Sequence, residues 1–295
     1  MTEGSMIEEP VPALVSTEWL AAHLTDPDLR VADVRWYLPI AGKHGRQEYA
    51  RGHLPGAVFV DLDTDLAAPP GAGPGRHPIP SAAAFEAAMS RAGIGDRTHV
   101  VAYDDAGGST AARLWWLLRY FSHARVSVLD GGLGRWVAEG RPVETLPLQP
   151  APAAFTARRQ SGWVVDKVAV KQLSRDPAAL VLDARAPERY EGRVEPVDPR
   201  AGHIPGARSA PFAGNLRDEP APRMRPPGEL RQRYDQFGAQ RAQKIVAYCG
   251  SGVNACHALL ALHLAGYPDA LLYEGSWSDW STDPALEAAT GPDPG

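Results

Sequence analysis

The sequence is written twice. Four segments of the first half recur in the second in the same order: VADVR (31–35) as VLDAR (181–185), RGHLPGA (51–57) as AGHIPGA (201–207), THVVAYD (98–104) as KIVAYCG (244–250), and VSVLDGGLGRW (126–136) as DALLYEGSWSDW (269–280). Matching positions are offset by 150, 150, 145 and 144 residues (183 − 33, 203 − 53, 249 − 104, 280 − 136). Similar segments in fixed order at a nearly constant offset mark a duplicated domain, each copy large enough for its own core. One copy is expected at 11–141 and the other at 163–285. The Pro-rich stretch within 142–162 is the expected linker.

Each copy alternates short apolar runs with helical patterns. In the second, VDKVAVKQLSR predicts a helix, ALVLDA a strand, PPGELRQRYDQFG a helix, KIVAYC a strand, NACHALLALHLAG a helix and ALLYEG a strand. That alternation predicts an α/β fold, each domain a mostly parallel sheet with helices on both faces. Ligands of such sheets sit beyond the carboxyl ends of the strands, and Cys249 falls at such an end, just before a helix. Asp33, Asp104 and Asp183 also fall at strand ends, where turn and capping chemistry is the commoner use of aspartate.

Composition narrows the function. A formal charge of −5 and a pI near 6.0 give no nucleic-acid footprint. No run approaches the roughly 20 apolar residues of a membrane span. The polar, acidic start MTEGSMIEEP lacks the basic and apolar regions of a signal peptide. The only two cysteines, Cys249 and Cys256, make no disulfide framework, so a cytoplasmic location is expected. Six residues lie between them, unlike the two of a redox or zinc pair, and no phosphate-binding or dinucleotide motif occurs; neither metal nor organic cofactor is expected.

The chemistry concentrates in Cys249-Gly250-Ser251-Gly252-Val253-Asn254-Ala255. The two glycines let the backbone curl tightly and approach a ligand. A loop running into a helix N-terminus aims main-chain N–H groups inward as an anion nest, which the helix dipole reinforces. A sulfur at the base of that cradle would be stable as an anion, whether thiolate or persulfide. Cys256, inside the helix among apolar neighbours, reads as structural.

These residues resemble the rhodanese family of tandem-domain sulfurtransferases, over roughly Val11 to Asp283. RGHLPGA and AGHIPGA resemble the family's domain marker, and YEGSWSDW its C-terminal marker. The resemblance implies a catalytic second domain whose Cys249 carries sulfur as a persulfide. The first domain, with Asp104 at the matching position, would be a scaffold closing one wall of the site. The neutral CGSGV loop is similar to that of 3-mercaptopyruvate sulfurtransferases, whereas thiosulfate-type members resemble a loop with basic residues. The implied reaction moves sulfur from a small anionic donor, 3-mercaptopyruvate or thiosulfate, to cyanide, a thiol or a thioredoxin-like protein. The loop, Gly250 through Ala255, and Arg189 in DARAPERYEG would hold the donor, with Ser251 hydrogen-bonding its carbonyl or the thiolate. The mercaptopyruvate type adds a second arginine nine residues on; here that position is Asp198, and nearby Arg200 is the expected substitute. The resemblance also implies a helper role for His53, although its repetition as His203 argues for a shared structural job. Trp36 and Tyr37 are candidates for lining the donor pocket.

Two rivals remain at this level. A cysteine phosphatase needs an arginine at the far end of the loop to hold phosphoryl oxygens, but Ala255 stands there and no arginine follows Arg241. A non-catalytic binding module would suit the first domain, but the second keeps cysteine and cradle together.

Overall fold

A computed structural model describes residues 11–295; the polar start, 1–10, lies outside the described residues. The first half runs β1 (Leu14–Val15), α1 (Thr17–His23), β2 (Leu29–Asp33), α2 (Gly45–Arg51), β3 (Val58–Phe59), α3 (Ala82–Arg91), β4 (His99–Tyr103), α4 (Ala111–Tyr120), β5 (Val126–Leu129) and α5 (Gly132–Ala138). The second runs β6 (Val164–Val165), α6 (Lys167–Leu173), β7 (Ala179–Asp183), α7 (Pro187–Tyr190), β8 (Arg208–Ser209), α8 (Pro227–Gln236), β9 (Lys244–Tyr248), α9 (Val253–Leu264), β10 (Leu271–Tyr273) and α10 (Ser276–Trp280). Between them, residues 142–160 form neither helix nor strand beyond a single bridge of Glu144 to His53.

Each half is a five-stranded parallel sheet, ordered β1-β5-β4-β2-β3 and β6-β10-β9-β7-β8. The orders are identical under the duplication, down to register: Asp33 pairs with Tyr103 as Asp183 pairs with Tyr248. The central strands are apolar on both faces because helices cover both, so they read as continuous apolar runs. The two-residue edge strands carry too short a pattern to stand out in the sequence.

The repeated motifs recur because they make the same buried contacts. Asp33 and Asp183 each pair with the arginine two residues on, Arg35 and Arg185, at 2.6 Å. Each arginine also donates to the glycine before the marker histidine, Gly52 O at 2.7 Å and Gly202 O at 2.6 Å. The tyrosines Tyr103 and Tyr248 accept from Leu54 N and Ile204 N in the two markers. Such fully satisfied ion pairs lock the marker loop against the strand ends.

One apolar cluster spans both halves, beside a smaller one within each. Trp115, Trp116 and Leu118 of α4 belong to the same apolar cluster as Cys256, Leu259 and Leu260 of α9. These helices follow the matching loops of the two copies, so their packing brings both loops to the same seam. No helix among the described residues is long and apolar enough to cross a membrane.

Candidate active site at the seam

The first half shows what this kind of loop does with negative charge. After β4, the chain wraps around the Asp104 carboxylate. Ala106 N and Gly108 N donate to Oδ1 at 2.8 Å, and Thr110 N and Ala111 N donate to Oδ2 at 2.8 and 2.9 Å. The loop before α4 is therefore an anion nest that carries its own anion.

In the second half Cys249 takes the place of Asp104. The following N–H groups, from Gly250 through Asn254, have no acceptor among the described residues. At the 145-residue offset two of the donors that the carboxylate satisfies, Ala106 N and Gly108 N, match the open Ser251 N and Val253 N. Gly252 makes the turn into α9 with φ +80°, and a Cβ there would lie 2.6 Å from Glu274 O. Gly252→Ala therefore destabilises the chain by about 1–2 kcal/mol from the left-handed backbone alone. Its displaced loop lowers kcat with every donor, as thermal unfolding and steady-state rates will show.

The C-terminal marker buttresses the loop. Ser276 Oγ accepts from Cys249 N at 3.1 Å, Trp277 N donates to Cys249 O at 2.9 Å, and Ser278 N donates to Gly250 O at 2.9 Å. These bonds fix the backbone on both sides of the sulfur. The residue itself is only 3% exposed, yet it borders a cavity of about 450 Å³ between the halves. Gly250, Ser251, Val253 and Asn254 line the same cavity. Gly252 serves the turn instead, and Ala255 is buried in the first turn of α9.

The opposite wall comes from the first half. Trp36 and Tyr37 line it, together with Arg76 and His77 from the Gly/Pro-rich segment after β3. That segment docks on the second half through Arg76 N to Ser278 Oγ at 3.1 Å and Ile79 N to the Glu274 carboxylate at 2.9 Å. His77 Nδ1 lies 2.7 Å from Ser251 Oγ, and its Nε2 lies 3.2 Å from Asp63 Oδ1. A neutral ring that accepts from the Ser251 hydroxyl carries its proton on Nε2 and donates it to Asp63. The hydrogen bonds from His77 and then Trp36 hold the Asp63 carboxyl below its ordinary range, against the opposing effect of burial. Sequence reading missed this Asp63–His77–Ser251 chain, because neither Asp63 nor His77 belongs to a repeated motif.

Arg189 reaches the cavity from α7, where Glu195 Oε1 at 2.7 Å and Asp198 Oδ2 at 3.1 Å hold it. Asp198 also pairs with Arg76 across the seam. Burial pushes the Asp198 carboxyl up, and Arg76 pulls it back in part. The two guanidiniums converge over the loop: a Cβ on Gly250 would sit 3.1 Å from Arg76 Nη2 and 3.5 Å from Arg189 Nη1.

Two expectations need correction. Arg200 does not line the cavity. Its guanidinium donates to the main-chain carbonyls of Trp280, Ser281, Asp283 and Leu286 at 2.8–3.0 Å, anchoring the C-terminal segment, and Arg76 occupies the place expected of it. His53 is fully buried away from the cavity, stacked on Tyr49 with Nδ1 2.8 Å from Tyr49 O. His203 stacks on Tyr190 in the same way, so the pair shares a packing role that leaves no route to the sulfur.

Cys256 is fully buried, and burial pushes its thiol up to about 12 while it donates to Gly252 O. It is poorly suited to act as a nucleophile. Neighbouring His257 is held down to about 4 by burial, so it stays neutral against Gly107 O.

Comparison with known proteins agrees with the two-domain architecture. The family model of the rhodanese-like domain matches twice, at residues 16–139 and 166–283. A probable 3-mercaptopyruvate sulfurtransferase of Pseudomonas aeruginosa is 43% identical over 281 residues, covering 94% of this chain and 98% of that protein. The human 3-mercaptopyruvate sulfurtransferase is 38% identical over 280 residues, 91% of each chain, and a rat thiosulfate sulfurtransferase is also 38% identical, over 279 residues. The crystal structure of SseA from Escherichia coli, described as a 3-mercaptopyruvate sulfotransferase, superposes with a TM-score of 0.78 at 33% identity, covering 91% of this chain and all of that one.

Proposed function

The chain belongs to the rhodanese family, and from that premise we propose that it is a sulfurtransferase that carries sulfur as a persulfide on Cys249 and takes it from 3-mercaptopyruvate. The observation that carries this reading is the pair of matched loops: one wraps its own carboxylate, while the other carries a cysteine in its place and leaves the N–H groups of Gly250 through Asn254 open.

The donor's carboxylate lies against Arg189, through the Nη1 that Glu195 and Asp198 leave open. Its sulfur faces Cys249. The thiolate attacks that sulfur, an S–S bond forms, and the C–S bond breaks with its electron pair leaving on the pyruvate enolate. The donor's thiol proton passes to Ser251 as Ser251 hands its own to His77 Nδ1, and the same proton returns through Ser251 to the enolate carbon, giving pyruvate and leaving the outer sulfur anionic. The open N–H groups of the loop hold the anionic outer sulfur of the persulfide. A thiol, cyanide or a thioredoxin-like protein then removes that sulfur and restores the thiolate.

Two half-reactions through one carrier give ping-pong kinetics. Initial rates measured while both substrates vary should fall on parallel reciprocal lines. Intersecting lines would remove the free persulfide from the scheme. Similarity to the rat thiosulfate sulfurtransferase favours a second reading, with thiosulfate as the main donor. The ratio of kcat/KM for the two donors separates them, and 3-mercaptopyruvate should lead.

A further inference from the structure

The donor wall is built in two layers of opposite charge. Arg76 and Arg189 face the cavity, their side chains 35% and 20% exposed. Glu195 and Asp198 stand behind them, 3% and 2% exposed. Arg185 also lines the cavity, and Asp183 matches it at 2.6 Å. Three guanidiniums are thus set against three buried carboxylates, and the wall is close to neutral as a whole. Among the described residues, Asp198 is the one carboxylate that bridges both exposed guanidiniums, one from each half of the molecule.

Resting on the sulfurtransferase reading, we propose that Asp198 is a specificity-determining residue that tunes this wall for a monoanionic donor and against a dianionic one. It acts through Arg76 and Arg189 and does not itself line the cavity. The arginines give a carboxylate its directed hydrogen bonds at close range. The charges behind them cancel the longer-range attraction that would otherwise grow with each added negative charge on the donor. A buried carboxylate repels a second charge on the ligand through a medium of low effective dielectric, so the penalty falls selectively on thiosulfate. The Asp198–Arg76 pair also makes recognition depend on both halves, because Arg76 is held over the Gly250 loop by a residue of the other copy.

The test uses the full-length chain and two variants with opposite expected effects. Asp198→Asn keeps the shape, removes one negative charge, and should raise the ratio of kcat/KM for thiosulfate over 3-mercaptopyruvate by about tenfold or more. Asp198→Glu should return the ratio toward wild type. Arg76→Gln leaves the wall one charge more negative and should lower the same ratio. A general loosening of the loop would depress both donors together without changing it. A ratio that stays at the wild-type value in Asp198→Asn, or that moves in the same direction in Asp198→Asn and Arg76→Gln, overturns the assignment. A wild-type chain that transfers sulfur from neither donor would remove the sulfurtransferase reading itself, a different result from an unmoved ratio.

Discussion

Cys249→Ser abolishes sulfur transfer: kcat/KM falls by about a thousandfold or more with either donor, as expected when a covalent carrier is removed. A serine hydroxyl cannot form the S–S bond, so no residual pathway through this position is available. Cys256→Ser retains most of the activity, because that sulfur is buried within α9, carries a thiol pushed up to about 12, and donates to a main-chain carbonyl that a hydroxyl also reaches. The two variants differ by one sulfur at positions seven residues apart, so their contrast separates carrier from core. Equal losses in both would place the chemistry elsewhere.

His77→Asn produces the second large effect, and it depends on the donor. The C–S cleavage of 3-mercaptopyruvate generates an enolate that must gain a proton, whereas thiosulfate releases sulfite without a proton reaching carbon. Removing the imidazole between Ser251 and Asp63 should therefore cost about a hundredfold in kcat with 3-mercaptopyruvate and much less with thiosulfate. The loss should appear in kcat more than in KM, because His77 bonds Ser251 and Asp63 and neither of the guanidiniums that hold the donor's head. Equal losses with both donors would make His77 a support for the loop and not a proton carrier.

The residues that drive these predictions were unequally legible in the sequence. The duplication, the parallel sheets and the position of Cys249 between β9 and α9 follow from local pattern: apolar runs, helical periodicity and a Gly-x-Gly turn. The aspartates at strand ends read as turn and cap chemistry, and Asp104 with its four main-chain donors is that case. The opposite wall follows from no local pattern. Asp63, Arg76 and His77 lie in the irregular segment between β3 and α3, whose counterpart between β8 and α8 is not among the four recurring segments and keeps no similar motif. Their role arises only when α4 and α9 pack and bring that segment over the other copy's loop. The available signal was a Gly/Pro-rich connection carrying Arg-His, longer than a link between two elements of this fold needs.

Arg200 is misplaced, whereas for His53 the structural job argued from its repetition holds and the helper role does not. Arg200 was near the expected position in sequence, but nearness along the chain says nothing of whether a guanidinium is already committed to carbonyls. His53 belongs to a marker whose job is packing, and its duplicate His203 makes the same stack. Asp198 marked a real departure, since the sequence places an acid where a second arginine was expected. Its consequence, Arg76 supplied from the other half, arises only from the packing of the two halves.

Intact-mass analysis of the chain after donor treatment, with the acceptor withheld, tests the central claim most directly. One added sulfur atom per chain, mapped to Cys249 by peptide analysis and discharged by cyanide or a thiol, is the predicted result. A chain of unchanged mass, or sulfur lodged on Cys256, contradicts it.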